Sequence, residues 1–182
     1  MSAFEPQAVD VARLEGDVAY RVAFLTAYVG LTEVDRALIR ASRPHLTPWL
    51  DALMVAIEGR LLGFSNTARH FDGLPPAMVT VHLRAYVDTI LRPRDEAQLA
   101  AYLDHVARAH GPDGGDPRIV VPLVEVSGLL AFITDQVIGA VAELDLPVER
   151  RFAAARAWSK LLWIQADLFQ WDAARRARLN PA

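Results

Sequence analysis

Apolar residues recur at spacings of three and four along almost the whole chain, and no tract alternates polar and apolar residues between turn signals. Such spacings place apolar side chains on one side of an α-helix, whereas a half-buried strand requires strict alternation. The pattern therefore predicts an all-α protein with roughly seven helices. At 182 residues, the chain fits one globular domain that buries a sizeable core.

Turn-forming residues mark the expected ends of the helices. Thr32 followed by Glu33 and Asp35 is typical of a capping box, and Thr47-Pro48 is typical of an N-cap followed by proline. The segment GPDGGDP, residues 111–117, holds two prolines and three glycines and cannot extend a helix. Helices are predicted over about residues 6–28, 32–41, 47–63, 75–91, 95–110, 122–144 and 147–176, with a short helical turn from Ser65 to Phe71.

The charge and the absence of cysteine exclude several classes of function. The net charge is −3, and Lys and Arg are spread along the chain, so we expect no nucleic-acid partner. Without cysteine, disulfides, thiolate nucleophiles and Cys-ligated zinc or iron–sulfur clusters are excluded. Any metal must therefore use His, Asp, Glu or Tyr.

The chain carries no segment that we expect to enter a membrane or direct export. The N-terminal residues are acidic and lack the basic and apolar regions of a signal peptide. The most apolar stretch, residues 119–141, is interrupted by Pro122, Glu125, Asp135 and Gln136, which a bilayer core would penalise. We therefore expect a soluble cytoplasmic protein without a membrane partner.

Position separates one histidine from the other four. His110 continues the apolar stripe of Leu99, Leu103 and Val106 at steps of four, three and four, whereas His105 is rotated about 100° from that stripe. An inward histidine is often a core residue bonded to a backbone carbonyl. It is also what a five-coordinate haem iron requires beside a wide apolar pocket. Leu83, Leu129 and Phe132 are candidates for the walls of such a pocket, while HExxH, GxSxG, P-loop and GxGxxG motifs are absent.

Four tracts carry a resemblance to a known family. These are LTEVDRALIRASRPHLTPWLDALMVAIEGRLLGFSNTARHF from Leu31, YLDHVARAH ending at His110, VPLVEVSGLLAFI ending at Ile133, and RAWSKLLWIQADLFQW with Trp158. In order and spacing they resemble the protoglobins and the haem domains of globin-coupled sensors. The resemblance implies a globin-like fold of residues 31–182 preceded by an N-terminal helical extension of residues 1–30, in one domain.

The resemblance also implies a site and a cofactor. It places His110 as the proximal ligand of the iron of haem b, with O₂, CO or NO in the open sixth position. The cofactor-binding residues expected on this basis are Ile57, Glu58, Leu61, His82, Leu83, Tyr86, Val106, Leu129 and Phe132. His82, with Arg84, Arg92 or Arg94, is a candidate partner for a haem propionate, although His82 also suits an exposed helix position.

Glu58 departs from the family pattern. Many members carry a tyrosine at this distal position, preceded by a bulky aromatic residue, whereas this chain has Glu58 preceded by Ile57. Two hypotheses follow. If Glu58 faces the iron, burial would raise its pKa and keep it neutral, so that it donates a hydrogen bond to the bound gas. Alternatively, Glu58 lies at the helix flank, turned to water or paired with an arginine.

The functions that these residues allow fall into different classes. The first is a haem globin that senses, carries or detoxifies a diatomic gas, and any signalling would pass to a separate partner. The second is a haem-free globin-fold interaction module in stress signalling. A third class, an enzyme that uses haem for peroxide or nitric oxide chemistry, is indicated by no sequence feature of its own.

The resemblance further implies a homodimer through the last two long helices, although their apolar stripe would also suit packing within one chain.

Overall fold

The computed structural model describes residues 9–73, 75, 80–81, 84–85, 87–89, 91–92, 98, 101–102 and 122–179. Within these residues the chain forms α-helices and short 3₁₀ turns without any strand, which confirms the all-α prediction. The helices are α1 (Val11–Gly16), α2 (Val18–Tyr28), α3 (Glu33–Leu46), α4 (Leu50–Leu62), α5 (Ser65–Ala68), α6 (Leu123–Ala142) and α7 (Val148–Leu179). Of the helix predicted over residues 75–91, the described residues 80–81, 84–85 and 87–89 are helical. The helix predicted over residues 95–110 lies largely outside the described residues.

The N-terminal region is two helices rather than one. Asp17 adopts an extended conformation between α1 and α2, and its carboxylate accepts a hydrogen bond of 3.0 Å from the Tyr20 N–H, which caps α2. At the other end of α2, Gly30 has φ of 64°, and the Leu31 N–H donates to the Thr26 carbonyl over 2.9 Å. This left-handed glycine ends the helix because it closes the last turn without a Cβ clash.

The capping box that opens α3 is confirmed. Asp35 N–H donates to the Thr32 hydroxyl, while the Asp35 carboxylate accepts from the Thr32 N–H. The helix ends at Leu46 instead of near Ala41, passing through Pro44, because Ser42 and Leu46 are both buried against the core. Burial of these turns outweighs the hydrogen bond that a proline cannot make.

The prediction that Thr47 is an N-cap was wrong. An N-cap residue leaves the helical conformation, whereas Thr47 has φ of −57° and ψ of −45° and continues from α3. Residues 47–49 form a 3₁₀ turn with Pro48 near its start, and α4 follows directly. Gly63 ends α4 as predicted, after burial of Leu53, Met54 and Ile57.

The core lies along one side of α7. Helices α6 and α7 are joined by residues 143–147 and pack against each other, and α3 packs on α7 from another direction. The buried residues of α6 are Leu130, Ile133, Val137 and Val141, and those of α7 include Trp158, Leu161, Leu162, Gln165 and Leu168. Among the described residues, α6 is a helix whose length and apolarity alone would allow it to cross a membrane. Within its most apolar window, 22% is buried inside the domain.

Two polar contacts attach the N-terminal helices to α7. Arg21 on α2 forms a bidentate pair with Asp167, with N–O distances of 2.6 and 2.9 Å. The Trp171 indole N–H donates to the Glu15 carbonyl at the end of α1 over 3.2 Å. Planar bidentate pairing fixes orientation as well as distance. Helices α1 and α2 are therefore held in register on α7.

A buried hydrogen bond joins α3 to α7. The Trp158 indole N–H donates to the Ser42 hydroxyl over 2.9 Å, and that hydroxyl donates to the Leu38 carbonyl over 2.8 Å.

We expect Ser42→Ala to destabilise the protein by about 1–3 kcal/mol, because the buried indole N–H would lose its acceptor. Urea unfolding measures this loss. Ser159→Ala, a half-buried serine on α7, is the control and should change stability little; an equal loss in both variants would contradict the prediction.

Candidate functional site

Four residues predicted to contact the cofactor come from α4 and α6 and meet the same core cluster. Ile57 is fully buried within it, whereas Leu61, Leu129 and Phe132 are partly buried and pack against it. Apolar side chains that pack on the core yet keep part of their surface accessible are suited to lining an apolar ligand pocket. We call Ile57, Leu61, Leu129 and Phe132 the apolar wall.

A cation lies at the edge of the apolar wall. The Arg60 guanidinium is 4.8 Å from the centre of the Phe132 ring. At that distance the ring face attracts the cation, which favours one position of the aromatic side chain. The orientation of Phe132 is thus set jointly by α6 and by the C-terminal turn of α4.

Glu58 lies beside Ile57 and is half-buried. Its Oε1 atom accepts a hydrogen bond of 2.6 Å from the Thr80 hydroxyl, which joins α4 to the described residues near position 80. Glu58 therefore accepts a hydrogen bond that links α4 to Thr80.

Several predicted site residues lie outside the described residues, namely His82, Leu83, Tyr86, Val106 and His110. Of the arginines proposed to meet a propionate, Arg94 also lies outside them. The other two are paired with acids: Arg84 with Asp51 at 2.6 Å, and Arg92 with Asp88 at 2.5 Å. Both of these pairs are largely exposed, so each contributes little to stability.

A polar cluster next to the apolar wall was missed by the sequence analysis. His70 Nε2 is 2.9 Å from Glu125 Oε2, and the Asn66 side-chain amide donates to Glu125 Oε1, also over 2.9 Å. The His70 and Glu125 side chains are only 12% and 8% exposed. The contact spans 55 residues of sequence, so no local pattern could have indicated it. We call Asn66, His70 and Glu125 the clasp.

The clasp holds Glu125 as a carboxylate. Burial acts to raise the pKa of Glu125, but hydrogen bonds from Asn66 and His70, together with the positive charge of Arg69, outweigh burial and lower it. The position of Glu125 in the first turn of α6 favours a negative charge in addition.

Across the described part of the chain, no group of three or more His, Asp or Glu side chains is arranged to bind a metal ion. Haem needs only one protein ligand and a large apolar surface. Leu61, Leu129 and Phe132 of the apolar wall keep accessible apolar surface, whereas Ile57 is fully buried.

Comparison with known proteins identifies the fold and the family of this chain. The structure is similar to the globin domain of a Geobacter sulfurreducens globin-coupled sensor, with a TM-score of 0.69 and 17% identity over 81% of this chain and 93% of that one. This chain therefore has a globin fold. The protoglobin family model matches residues 18–172, from α2 to α7, and the chain belongs to the protoglobin family. No curated protein sequence matches the chain.

The lowered pKa of Glu125 predicts acid sensitivity. The folded protein keeps this carboxylate charged at pH values where the unfolded chain starts to protonate it, so its contribution is complete above the ordinary pKa of 4.5 and is lost as pH falls through the lower folded value. Between about pH 5 and 3, the free energy of unfolding should fall less steeply in Glu125→Gln than in the wild type. Chemical unfolding at several pH values measures the slope. Glu143→Gln, at an exposed position, should keep the wild-type slope, and parallel curves for Glu125→Gln would refute the prediction.

Proposed function

We propose that this protein is a haem-binding globin that holds a diatomic gas for sensing, carriage or detoxification in the cytoplasm. The observation that carries the proposal is the apolar wall, found on α4 and α6 of a protoglobin-family chain. Under this proposal the chain is one domain, with residues 1–30 as a helical extension of the globin core.

The residues present fit haem b in their chemistry. Ile57, Leu61, Leu129 and Phe132 offer an apolar surface, and Leu83, Tyr86 and Val106 would extend it from the intervening segment. His110 would supply the axial imidazole through Nε2, and His82 a positive or hydrogen-bonding group for a propionate. When bound, haem supplies the iron that binds O₂, CO or NO, while the protein sets polarity, access and axial ligation.

Glu58 has a partner that neither of its two hypotheses named, a threonine hydroxyl rather than water or an arginine. Because its Oε1 atom accepts from Thr80, the side chain is engaged between two segments in the acceptor role. We propose that Glu58 ties α4 to the segment near residue 80. The pocket that holds the bound gas would then have no phenolic hydroxyl at this position.

Haem binding through His110 has a direct optical test. Protein expressed with a haem supply should show a Soret band that shifts when CO is added. His110→Ala should lose the band or bind haemin at least about tenfold more weakly, because the axial imidazole is removed. Absorbance titration with haemin measures both effects.

The matched control is His105→Ala, five residues earlier on the same predicted helix and off its apolar stripe. This variant should keep the Soret band. A colourless wild-type protein that refuses added haemin would overturn the haem proposal and favour the haem-free interaction module. Equal haem loss in both variants would remove His110 from the ligand position.

We also propose a homodimer through α6 and α7. Each helix presents large apolar side chains to solvent: Val124 on α6 is 76% exposed, and Phe152 and Trp163 on α7 are 65% and 61% exposed. Phe152 and Trp163 therefore lie outside the face of α7 that packs within the chain. Exposed aromatic and aliphatic side chains on neighbouring long helices suit a four-helix interface between two copies.

The dimer proposal is tested by substitution at its largest exposed side chain. Trp163→Glu should raise the dimer dissociation constant at least about tenfold, since a buried interfacial tryptophan is often worth 2 kcal/mol or more. Sedimentation velocity over a concentration series measures the change. Tyr28→Glu is the control, because Tyr28 is 79% exposed but lies on α2. A monomeric wild type at high concentration would refute the proposal.

A further inference from the structure

The clasp acts on the same face of α6 as the apolar wall. Glu125, Leu129 and Phe132 follow one another at steps of four and three, which places them on one side of a helix. A contact that fixes Glu125 in the first turn therefore also fixes how α6 is rotated where it presents Leu129 and Phe132.

Both oxygen atoms of the Glu125 carboxylate are engaged from one short segment. Asn66 holds Oε1 and His70 holds Oε2, each at 2.9 Å. Hydrogen bonds to an ionised group with little exposure are about twice as strong as neutral ones. Two such bonds to one carboxylate leave it little freedom to rotate. The geometry therefore resists both sliding and rotation of α6 relative to residues 65–71.

The same segment is attached to the other half of the apolar wall. The Thr67 hydroxyl donates to the Leu61 carbonyl at the end of α4, and it also lies 3.0 Å from the Phe64 carbonyl. Residues 65–71 thus bridge the end of α4, which carries Leu61, and the start of α6, which leads to Leu129 and Phe132.

The charged neighbours of the clasp are few among the described residues. Arg69, on the same segment, acts on Glu125 electrostatically. Arg60, on α4, has its guanidinium over Phe132. Neither replaces the two hydrogen bonds to Glu125, so among the described residues the clasp joins residues 65–71 to α6.

We propose that Asn66, His70 and Glu125 position the α6 side of the pocket relative to α4, and that this contact transmits ligand binding to residues 62–72 and 123–133 together. The positioning part concerns the fold alone, whereas the transmission part rests on the proposed haem function. In these roles His70 and Glu125 are positioning residues that act through α6.

Hydrogen–deuterium exchange of the full chain tests the proposal, with and without haem and with and without CO. His70→Ala and Glu125→Gln should each raise exchange at residues 65–71 and 123–130 about tenfold or more in the haem-free chain, because a charged hydrogen bond is lost. His70→Gln keeps a side-chain amide donor for Glu125 and should restore most of the protection. Glu149→Gln, an exposed acid in the first turn of α7, should match the wild type.

In the haem-loaded wild type, CO should change exchange at residues 62–72 and 123–133 together, while in His70→Ala the change should be confined to one of these two segments.

Unchanged exchange in His70→Ala and Glu125→Gln would overturn the positioning role. Loss of protection in His70→Gln as large as in His70→Ala would overturn the hydrogen-bond role, because packing of the ring would then explain the effect. Absence of a Soret band in every variant would refute the haem function, and the haem-free measurements would still decide the positioning role.

Discussion

The architecture depends on the burial of one side of α7. Trp158 is completely buried there, and an indole carries an N–H group that must find an acceptor once water is removed. Ser42 on α3 supplies that acceptor, so the hydrogen bond fixes α3 at one register along α7. Helix α6 packs on the same helix, and Arg21 attaches α2 to it through Asp167. Apolar burial provides the stabilising free energy, and the polar contacts select one arrangement of the helices.

The same division of roles applies at the candidate site. Ile57 and Ile133 are buried and anchor α4 and α6 to the core, while the neighbouring Leu61 and Phe132 keep part of their surface accessible. Apolar packing alone would allow each helix to rotate slightly or slide without losing much buried area. Directional contacts limit this freedom, since a carboxylate held at both oxygens tolerates small displacements poorly. A pocket with a defined shape therefore needs the polar groups at its edge as well as its apolar wall.

Local rules predicted much of the fold, and the differences have physical reasons. The capping box at Thr32 and the helix end at Gly63 depend on neighbouring residues only, and both were predicted. Thr47 was misassigned because the burial of Leu46 keeps the chain helical through Pro44. Ile57, Leu61, Leu129 and Phe132 were expected to contact the cofactor, and the structure has them in the core cluster or packed against it. The clasp was beyond reach, because His70 and Glu125 lie 55 positions apart and neither occupies a distinctive pattern.

By itself, the sequence determined that the chain is helical, where several helices begin or end, and which metal ligands are chemically available, since these follow from spacing, turn residues and composition. The resemblance in its four tracts also indicated the family. Only the tertiary structure decided which apolar residues of α7 are enclosed. Trp158 is fully buried, whereas Trp163 and Phe152 are exposed, and all three have similar hydrophobicity. Their difference depends on which other helices lie alongside, because the core is built from contacts between segments distant in sequence.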